Sequence, residues 1–323
     1  MEPILQVRDL WITFKRLGAG IGPRNVNAVK DVSFDLGESE IFSLVGESGS
    51  GKTTLGKGIA RLVLPTKGSI LYNGKNVMKL RGEELRKYRA DVQMVFQDPF
   101  GSLNPRYDVL TTLSEPLQYL SHLKDPTEIK EHSSKLLEEV GLDSERVLTR
   151  YPHQLSGGER QRVNIARAIA SEPKILIADE PITMLDAEQR LSVLSLLMEL
   201  KLKRRLSVLF ITHDLASAKL VSDRIMVMYL GKIVESGEAE AVLSKPHHPY
   251  AEVILKAMPT LHRQDDGAQS LLKTATREDL VMKGCAFRPK CAYANEKCSE
   301  IEPPLVEITK SHYAACHWPL NSN

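Results

Sequence analysis

A glycine-rich loop that could hold the phosphates of a nucleotide lies near the start of the chain. Residues 46–53, Gly-Glu-Ser-Gly-Ser-Gly-Lys-Thr, follow the pattern G-x-x-x-x-G-K-[ST]. In this pattern the glycines let the backbone wrap phosphate oxygens, Lys52 reaches the β- and γ-phosphates, and the Thr53 hydroxyl binds Mg²⁺. The apolar run Ile41–Val45 precedes the loop and a helical pattern follows it. This context favours nucleotide binding over the alternative of an ordinary glycine turn.

An acidic pair that could support hydrolysis follows a second apolar run. The stretch "ILIADE" places Asp179 at the end of a buried strand, with Glu180 next to it. Asp179 is predicted to hold Mg²⁺, and Glu180 is predicted to polarise the attacking water as a general base. Such a pair alone is weak evidence, because acidic residues often open loops, but it gains weight in a chain that already has a phosphate loop.

Four cysteines, all within the last forty residues, form a third group of reactive side chains. Their spacing is Cys285-x5-Cys291-x6-Cys298-x17-Cys316. Disulfides are disfavoured if the chain hydrolyses a nucleotide as these motifs predict, because such an enzyme would use the ATP of the reducing cytosol. Structural zinc usually uses tighter C-x₂₋₄-C pairs, whereas iron–sulfur clusters accept wider spacings. Spacing leaves an iron–sulfur cluster, zinc and four reduced thiols open, with His312 and His317 as lower-ranked ligands.

Strands that alternate with helices are expected to position these groups. Such alternation predicts the α/β class with a parallel sheet. The predicted strands are 1–14 (as an edge strand), 29–36, 173–179, 207–214 and 224–237, with a mostly helical middle at about 100–170 and a leucine-rich helix at 187–204. After Pro259 the sequence becomes polar, which indicates a linker before the cysteine-bearing end.

Composition excludes several classes of protein. The 323 residues carry 43 basic and 41 acidic side chains, a net charge of +2, so no electrostatic footprint for nucleic acid is present. No apolar stretch approaches the length of a membrane span, and the first residues mix charges too early for a signal peptide. We therefore expect a soluble, intracellular protein whose membrane role, if any, comes through partners.

A further motif, "LSGGERQR" at 155–162, identifies a family. Together with the phosphate loop and "ILIADE", it resembles the ATP-binding subunits of ABC transporters, as do Gln97 in "MVFQDP", Asp186 in "TMLD" and His213 in "ITHD". The likeness covers roughly residues 1–258 and implies a P-loop NTPase (RecA-like) core with a helical subdomain. One departure is Thr183-Met184, where the family usually has Ser-Ala.

The resemblance narrows to the oligopeptide/dipeptide/nickel importer branch. The stretches "FQDPFGSLNPR" (96–106) and "KPHHPYAEVILKAMP" (245–259) resemble that branch. The branch has two types of ATPase subunit, and the residues Phe100–Gly101 together with the extended segment 15–27 near the start of the chain resemble the second type. Residues 259–323 then form a small Cys-rich extension. Some members of the branch hold a 4Fe–4S cluster there, so the resemblance implies a cluster at the four cysteines, with Zn²⁺ as the alternative.

The resemblance also implies roles for individual residues. In the family, the signature of one subunit meets the γ-phosphate held by the phosphate loop of another. The implied ATP-binding residues are Phe14, Gly46, Glu47, Ser48, Gly49, Ser50, Gly51, Lys52, Thr53, Thr54 and Gln97. The signature residues that contact ATP across the pair are Leu155, Ser156, Gly157, Gly158 and Glu159. Thr53, Gln97 and Asp179 would hold Mg²⁺, Glu180 and His213 would be catalytic, and Asp186 would belong to the D-loop.

The implied function is an ATPase at the cytoplasmic face of the cell membrane that powers an importer. Implied partners are a second ATPase subunit (another chain or a second copy), two transmembrane permease subunits and an extracellular substrate-binding protein. Peptides are the first substrate expected, with oligosaccharides or nickel as alternatives. A soluble ABC ATPase acting on nucleic acid or ribosomes is the rival of another class, and it is disfavoured because the chain has a single set of motifs and no basic patch.

Overall fold

The structure is a computed structural model that describes residues 3–16, 24–257 and 283–322. The described strands are β1 Leu5–Arg16, β2 Arg24–Leu36, β3 Ile41–Val45, β4 Lys67–Tyr72, β5 Lys75–Asn76, β6 Val92–Val95, β7 Ile175–Asp179, β8 Ser207–Thr212, β9 Arg224–Tyr229, β10 Lys232–Glu238, β11 Val306–Thr309 and β12 His312–Ala314. The linker expected after Pro259 lies outside the described residues.

The described α-helices alternate with these strands, as the α/β prediction requires. They are α1 Lys52–Ile59, α2 Gly82–Asp91, α3 Pro99–Ser102, α4 Val109–Tyr119, α5 Pro126–Glu139, α6 Ser144–Val147, α7 Gly157–Ile169, α8 Ala187–Arg204, α9 Leu215–Val221, α10 Ala239–Ser244, α11 Pro249–Lys256 and α12 Glu296–Glu300. Of the helices that the structure describes, none has both the length and the apolar character needed to cross a bilayer.

The chain divides into two compact units, of which the first contains mainly Lys75–Phe210. Its strands β6 and β7 pair in parallel and are buried along most of their length. The middle of the unit is helical from α3 to α7, in agreement with the sequence prediction for about 100–170. Asp108 and Asp125 cap α4 and α5 by accepting hydrogen bonds from amides of the first turn, which fixes where these helices begin.

The second unit contains Leu5–Asp35, Ile41–Gly74 and the chain from Ile211 onward. Its strand β1 lies between β2 and β4 and pairs antiparallel with β4. The prediction of β1 as an edge strand was therefore wrong. Alternation of apolar and polar residues reports a single buried face, and it carries no information on whether both strand edges find partners.

A second sheet of this unit continues from the phosphate loop into the end of the chain. β3 pairs in parallel with β9, β9 pairs antiparallel with β10, and β10 pairs antiparallel with β12. Leu230 and Gly231 both have positive φ, which is the backbone of a tight two-residue hairpin between β9 and β10. The cysteine-bearing residues 283–322 thus share a sheet with the strand that leads into the phosphate loop.

Candidate nucleotide-binding and cysteine sites

The phosphate loop is shaped by two glycines that touch neighbouring backbone. A Cβ on Gly46 would lie 2.2 Å from the Met228 carbonyl oxygen, and one on Gly51 would lie 2.2 Å from that of Ala28. Gly51 also has φ +108, a conformation that L side chains rarely adopt. Larger residues at these two positions would push the loop off β9 and the β2 segment. The pattern read from the sequence therefore has a steric basis in the structure.

The interior of the loop offers hydrogen-bond donors. Lys52 is 5% exposed, and its Nζ donates to the carbonyl oxygens of Gly46 at 2.7 Å and Glu47 at 2.9 Å. The Ser50 hydroxyl is buried, and among the described residues it finds no hydrogen-bond partner; within the same part of the chain, no side chain caps α1, which begins at Lys52. The first backbone amides of a helix, together with a neighbouring hydroxyl and ammonium group, are the kinds of donor that bind phosphate oxygens.

Tyr250, which the sequence motifs did not single out as functional, hydrogen-bonds the backbone of the phosphate loop. The fully buried Tyr250 accepts a hydrogen bond at its hydroxyl from the Glu47 backbone N–H, at 3.1 Å. Burial raises the pKa of Glu47 and also raises that of Tyr250. Tyr250 lies in "KPHHPY", which was read only as a family signature, and no local pattern links position 250 to position 47.

The acidic pair ends β7 as predicted. Asp179 is 1% exposed and Glu180 is 8% exposed. Glu180 has φ +50, a left-handed conformation that costs a non-glycine residue about 1 kcal/mol and is often found at functional sites. The Thr183 hydroxyl donates to Glu180 Oε2 at 2.7 Å. The hydroxyl of the divergent Thr183-Met184 segment thus orients the carboxylate expected to act as the base.

The signature segment opens α7 through a reciprocal cap. The Ser156 hydroxyl accepts from the Glu159 N–H at 3.2 Å, and Glu159 Oε2 accepts from the Ser156 N–H at 2.9 Å. This N–H, together with the nearby Arg146, lowers the pKa of Glu159. A Cβ on Gly158 would lie 3.1 Å from the Gln189 side chain. Ser156 is therefore an N-cap in this structure, at the exposed tip of α7.

The remaining motif residues lie at element ends. Gln97 is exposed two residues after β6, and His213 is exposed directly after β8. Asp186 caps α8 by accepting from the Gln189 N–H at 2.8 Å. Phe14, expected to stack on adenine, lies on β1 and is 43% exposed. Their roles in nucleotide binding stay predictions.

All four cysteines line one small cavity of the second unit. None forms a disulfide. Burial raises the pKa of Cys285 and of Cys291, and raises that of Cys316 to about 11. Backbone N–H groups interact with these sulfurs, for example that of Trp318 with Cys316 Sγ at 3.4 Å. Gly284 has φ +78, and a Cβ added at this position would lie only 2.3 Å from the Cys298 carbonyl oxygen. Only glycine therefore allows the backbone next to Cys285 to come this close to Cys298.

The sulfurs share the cavity without forming a closed set of ligands. Within the described ranges, no three His, Cys, Asp or Glu side chains are grouped closely enough to hold a metal ion. The structure therefore gives no support to the predicted cluster or zinc, and the metal stays a prediction. His312 and His317 each use one ring nitrogen elsewhere, on Glu235 at 2.7 Å and on the Ile301 carbonyl at 2.9 Å, which agrees with their low rank as ligands.

A buried carboxylate joins the end of the chain to α11, a second feature that the sequence did not reveal. Glu235 is fully buried on β10 and accepts from the backbone N–H groups of His247 and His248, both at 2.7 Å. His312 of β12 hydrogen-bonds the same carboxylate. One acidic side chain thus fixes the cysteine-bearing segment and the start of α11 to the same strand.

Comparison with protein families gives two matches. Residues 29–183 match the family described as "ABC transporter", and residues 234–298 match "Oligopeptide/dipeptide transporter, C-terminal region". The oligopeptide transport ATP-binding protein OppF of Haemophilus influenzae is 39% identical over 325 residues, which is 98% of this chain and 97% of that protein. The second match begins in β10 and ends at Cys298, so it includes Tyr250.

Solved structures share the fold. The chain CbiO1 of Clostridium perfringens, part of an ABC transporter complex, is 26% identical, with a TM-score of 0.64 over 76% of this chain and 92% of that one. A dimeric ATP-binding cassette in a post-hydrolysis state, bound to ADP and Pi, is 30% identical, with a TM-score of 0.64 over 73% of this chain and 98% of that one.

Proposed function

The chain belongs to the ABC transporter family, as an ATP-binding subunit of the oligopeptide/dipeptide branch, and from this premise we propose that it hydrolyses ATP to power the import of di- and oligopeptides. The observation that carries the proposal is the likeness to OppF of Haemophilus influenzae, an oligopeptide transport protein, over nearly the whole of both chains. It includes the nucleotide motifs as well as the cysteine-bearing end.

Each motif residue is assigned a step of this reaction. The loop 46–54 binds the phosphates of ATP, with Lys52 as the main charged group, and Phe14 stacks on adenine. Thr53, Gln97 and Asp179 offer the hard oxygen ligands that Mg²⁺ prefers, and the metal when bound neutralises phosphate charge. Glu180 takes the proton of the attacking water, and His213 hydrogen-bonds either the γ-phosphate or the water that Glu180 positions. The nucleotide-binding domain is assigned to residues 1–258 and the extension to residues 259–323.

A head-to-tail pair of ATPase subunits completes the sites. The exposed tip of α7, with Ser156 and the Gly157–Gly158 amides, supplies N–H groups to the γ-phosphate held by the partner's loop. Leu155 and Glu159 set the geometry of this tip, and Asp186 lies in the D-loop of the same face. Support comes from the related cassette, which is a dimer with ADP and Pi bound. The partner is a second, different ATPase subunit, with a homodimer as the alternative.

The remaining partners follow from the branch. The pair couples to two transmembrane permease subunits at the cytoplasmic face of the membrane, and an extracellular binding protein delivers the peptide. ATP binds the closed pair more tightly than the open pair, and this difference in binding energy drives the transporter between its states.

Transport in proteoliposomes tests the function. The chain is reconstituted with candidate permease subunits, a second ATPase subunit and a peptide-binding protein from the same genome, and uptake of radiolabelled di- to pentapeptides is measured. We expect peptide uptake that requires ATP and Mg²⁺ and ceases without the binding protein. Uptake of nickel or an oligosaccharide instead of peptides would contradict the substrate. Failure to assemble with the permease, with ATPase activity stimulated by DNA or ribosomes, would contradict the importer itself.

We also propose that Cys285, Cys291, Cys298 and Cys316 bind a 4Fe–4S cluster, with Zn²⁺ as the alternative. Support for this proposal comes from the resemblance and from the donor chemistry alone, since four thiols line one cavity and backbone N–H groups interact with their sulfurs, an arrangement that tunes clusters in proteins. In the described residues the sulfurs are not grouped closely enough to hold a metal, so they would have to move closer together to bind one. A cluster would tie the segments of this small module together through iron–sulfur bonds and so stabilise it.

Metal analysis of anaerobically purified full-length protein tests the cluster. We expect about four iron and four sulfide per chain and a brown colour, as for a 4Fe–4S centre, with both lost in Cys298→Ser. His317→Asn is the matched control and should keep them, because that ring bonds a backbone carbonyl. Stoichiometric zinc, or iron unaffected by Cys298→Ser, would overturn the cluster.

A further inference from the structure

One tyrosine lies between the phosphate loop and the four-cysteine module, by which we mean residues 283–322. Tyr250 has no exposed surface, and its hydroxyl accepts the hydrogen bond from the Glu47 N–H at 3.1 Å. The Glu47 carboxylate also interacts with this hydroxyl. Tyr250 thus holds the backbone of the second residue of the loop through a hydrogen bond.

The position of the Tyr250 ring is set by its own helix. Tyr250 is the second residue of α11, after Pro249, whose ring favours the first turn of a helix. The Tyr250 N–H donates to His248 Nδ1 at 3.0 Å, and Glu235 fixes the His248 backbone. The hydroxyl is therefore presented to Glu47 from a rigid support.

The Tyr250 ring packs against the four-cysteine module. Phe287, between Cys285 and Cys291, is 2% exposed, and its ring centroid lies 5.3 Å from that of Tyr250 and 5.4 Å from that of Tyr229. These rings belong to one hydrophobic cluster that also contains Val45, the residue before the loop, and that packs against Cys285 and Cys291. Aromatic contacts at such distances are attractive and geometrically specific.

The same module also contributes charge. Lys290, three residues after Phe287, lies close enough to Glu47 for its ammonium group to oppose the rise in the pKa of Glu47 that burial causes. The module therefore acts on Glu47 in two ways. Phe287 packs against Tyr250, which hydrogen-bonds the Glu47 backbone, and the positive charge of Lys290 interacts with the Glu47 carboxylate.

We propose that Tyr250 is a positioning residue for the phosphate loop, through which the packing of the four-cysteine module sets the affinity of the loop for ATP. The proposal rests on the phosphate-binding role assigned above to residues 46–54. A loop held in its binding conformation before ATP arrives loses less conformational freedom on binding, so affinity rises without a new contact to ATP. Anything that loosens Phe287 should loosen the loop by the same route.

Removing the hydroxyl tests the first link. Tyr250→Phe keeps the ring and removes the hydrogen-bond partner of the half-buried Glu47 N–H, so the loop should leave its binding conformation part of the time. We expect the Kd of the full-length chain for ATP to rise about threefold to tenfold, the range that one hydrogen bond supports. The KM of the assembled ATPase should rise equally, and its kcat should change less than about twofold, as for a loss of uniform binding.

Hydrogen exchange provides a readout that does not depend on activity. Amides of residues 46–54 should exchange faster in Tyr250→Phe without ATP, whereas β7 should not change. Tyr88→Phe is the matched control, because Tyr88 is 1% exposed and lies on α2 in the other unit; it should leave both the Kd and loop exchange unchanged. An unchanged Kd and unchanged loop exchange in Tyr250→Phe would overturn the proposal.

A double-mutant cycle tests the link to the module. Phe287→Leu should raise the Kd for ATP at least about threefold and should add less than about twofold in the Tyr250→Phe background, since contacting residues on one route are not additive. Phe34→Leu, in the same unit but outside this cluster, should not change the Kd. Additive effects of Phe287→Leu and Tyr250→Phe would overturn the link.

Lys52→Ala separates failure of this inference from failure of the assigned function. If Lys52→Ala abolishes ATP binding and Tyr250→Phe leaves the Kd unchanged, the loop binds phosphate and only the positioning role is wrong. If Lys52→Ala binds ATP like the unmodified chain, the phosphate-binding role itself is wrong and the inference falls with it.

Discussion

Glu180→Gln should stop ATP hydrolysis while ATP binding persists. The amide keeps the shape of the carboxylate and can still accept from the Thr183 hydroxyl, which lies 2.7 Å away, but it cannot take the proton of the attacking water. General-base catalysis contributes about 10²- to 10⁴-fold, so kcat should fall by at least about 10²-fold. The Kd for ATP should change little, because the loop 46–54 is intact.

The variant should also accumulate in the ATP-bound, paired state. Without hydrolysis nothing reopens the pair, so gel filtration with ATP and Mg²⁺ should show a stable complex with the second ATPase subunit. Glu131→Gln, at an exposed position of α5, is the control and should hydrolyse ATP at the normal rate. A Glu180→Gln protein that keeps more than about a third of the normal kcat would exclude Glu180 as the base, given the size of that effect.

Mild acid should destabilise the second unit through His248. This side chain is 2% exposed, and burial lowers its pKa from 6.5 to about 3. Its Nδ1 accepts from the Tyr250 N–H, so the neutral ring is the form that the fold uses. Because the unfolded chain binds the proton more readily, stability is complete above pH 6.5 and falls as the pH falls toward 3. The loss is on the order of 1 kcal/mol per pH unit within this window.

His248→Asn isolates this contribution. Asparagine is a favoured N-cap and can accept from the same N–H, but it does not titrate. Urea unfolding at pH 7, 6 and 5 should therefore show a shallower loss of stability in the variant, even if it starts lower because a smaller side chain packs less well. His132→Asn, at an exposed site, should keep the original slope. Parallel slopes for the unmodified chain and His248→Asn would contradict the prediction.

Much of the nucleotide machinery was predictable because it is local in sequence. The steric demands on Gly46 and Gly51, the cap at Ser156 and the position of Asp179 at the end of β7 each depend on a few consecutive residues. A phosphate loop, a helix N-terminus and a strand end are each formed by neighbouring positions. The residue types at those positions are therefore enough to predict the chemical groups that the site offers. The helical middle and the helix at 187–204 were predicted for the same reason.

Features that depend on distant residues were not predictable. No local pattern could show that β1 lies inside its sheet, because the pairing of strand edges is decided by other strands. It placed Tyr250 in a family signature, yet its contact with Glu47 spans 203 positions. Glu235 resembles any strand carboxylate until His247, His248 and His312 are brought to it.

The sequence by itself therefore determined what this protein handles: a nucleotide, through a loop and motifs whose chemistry is carried by adjacent residues. Only the tertiary structure decided which distant residues pack against that loop and hydrogen-bond to it. Tyr250, Phe287 and the cysteine-bearing end meet behind it because a shared hydrophobic cluster and one buried carboxylate bring them there. Long-range packing of this kind is selected by shape and burial, which single residues along a chain do not record.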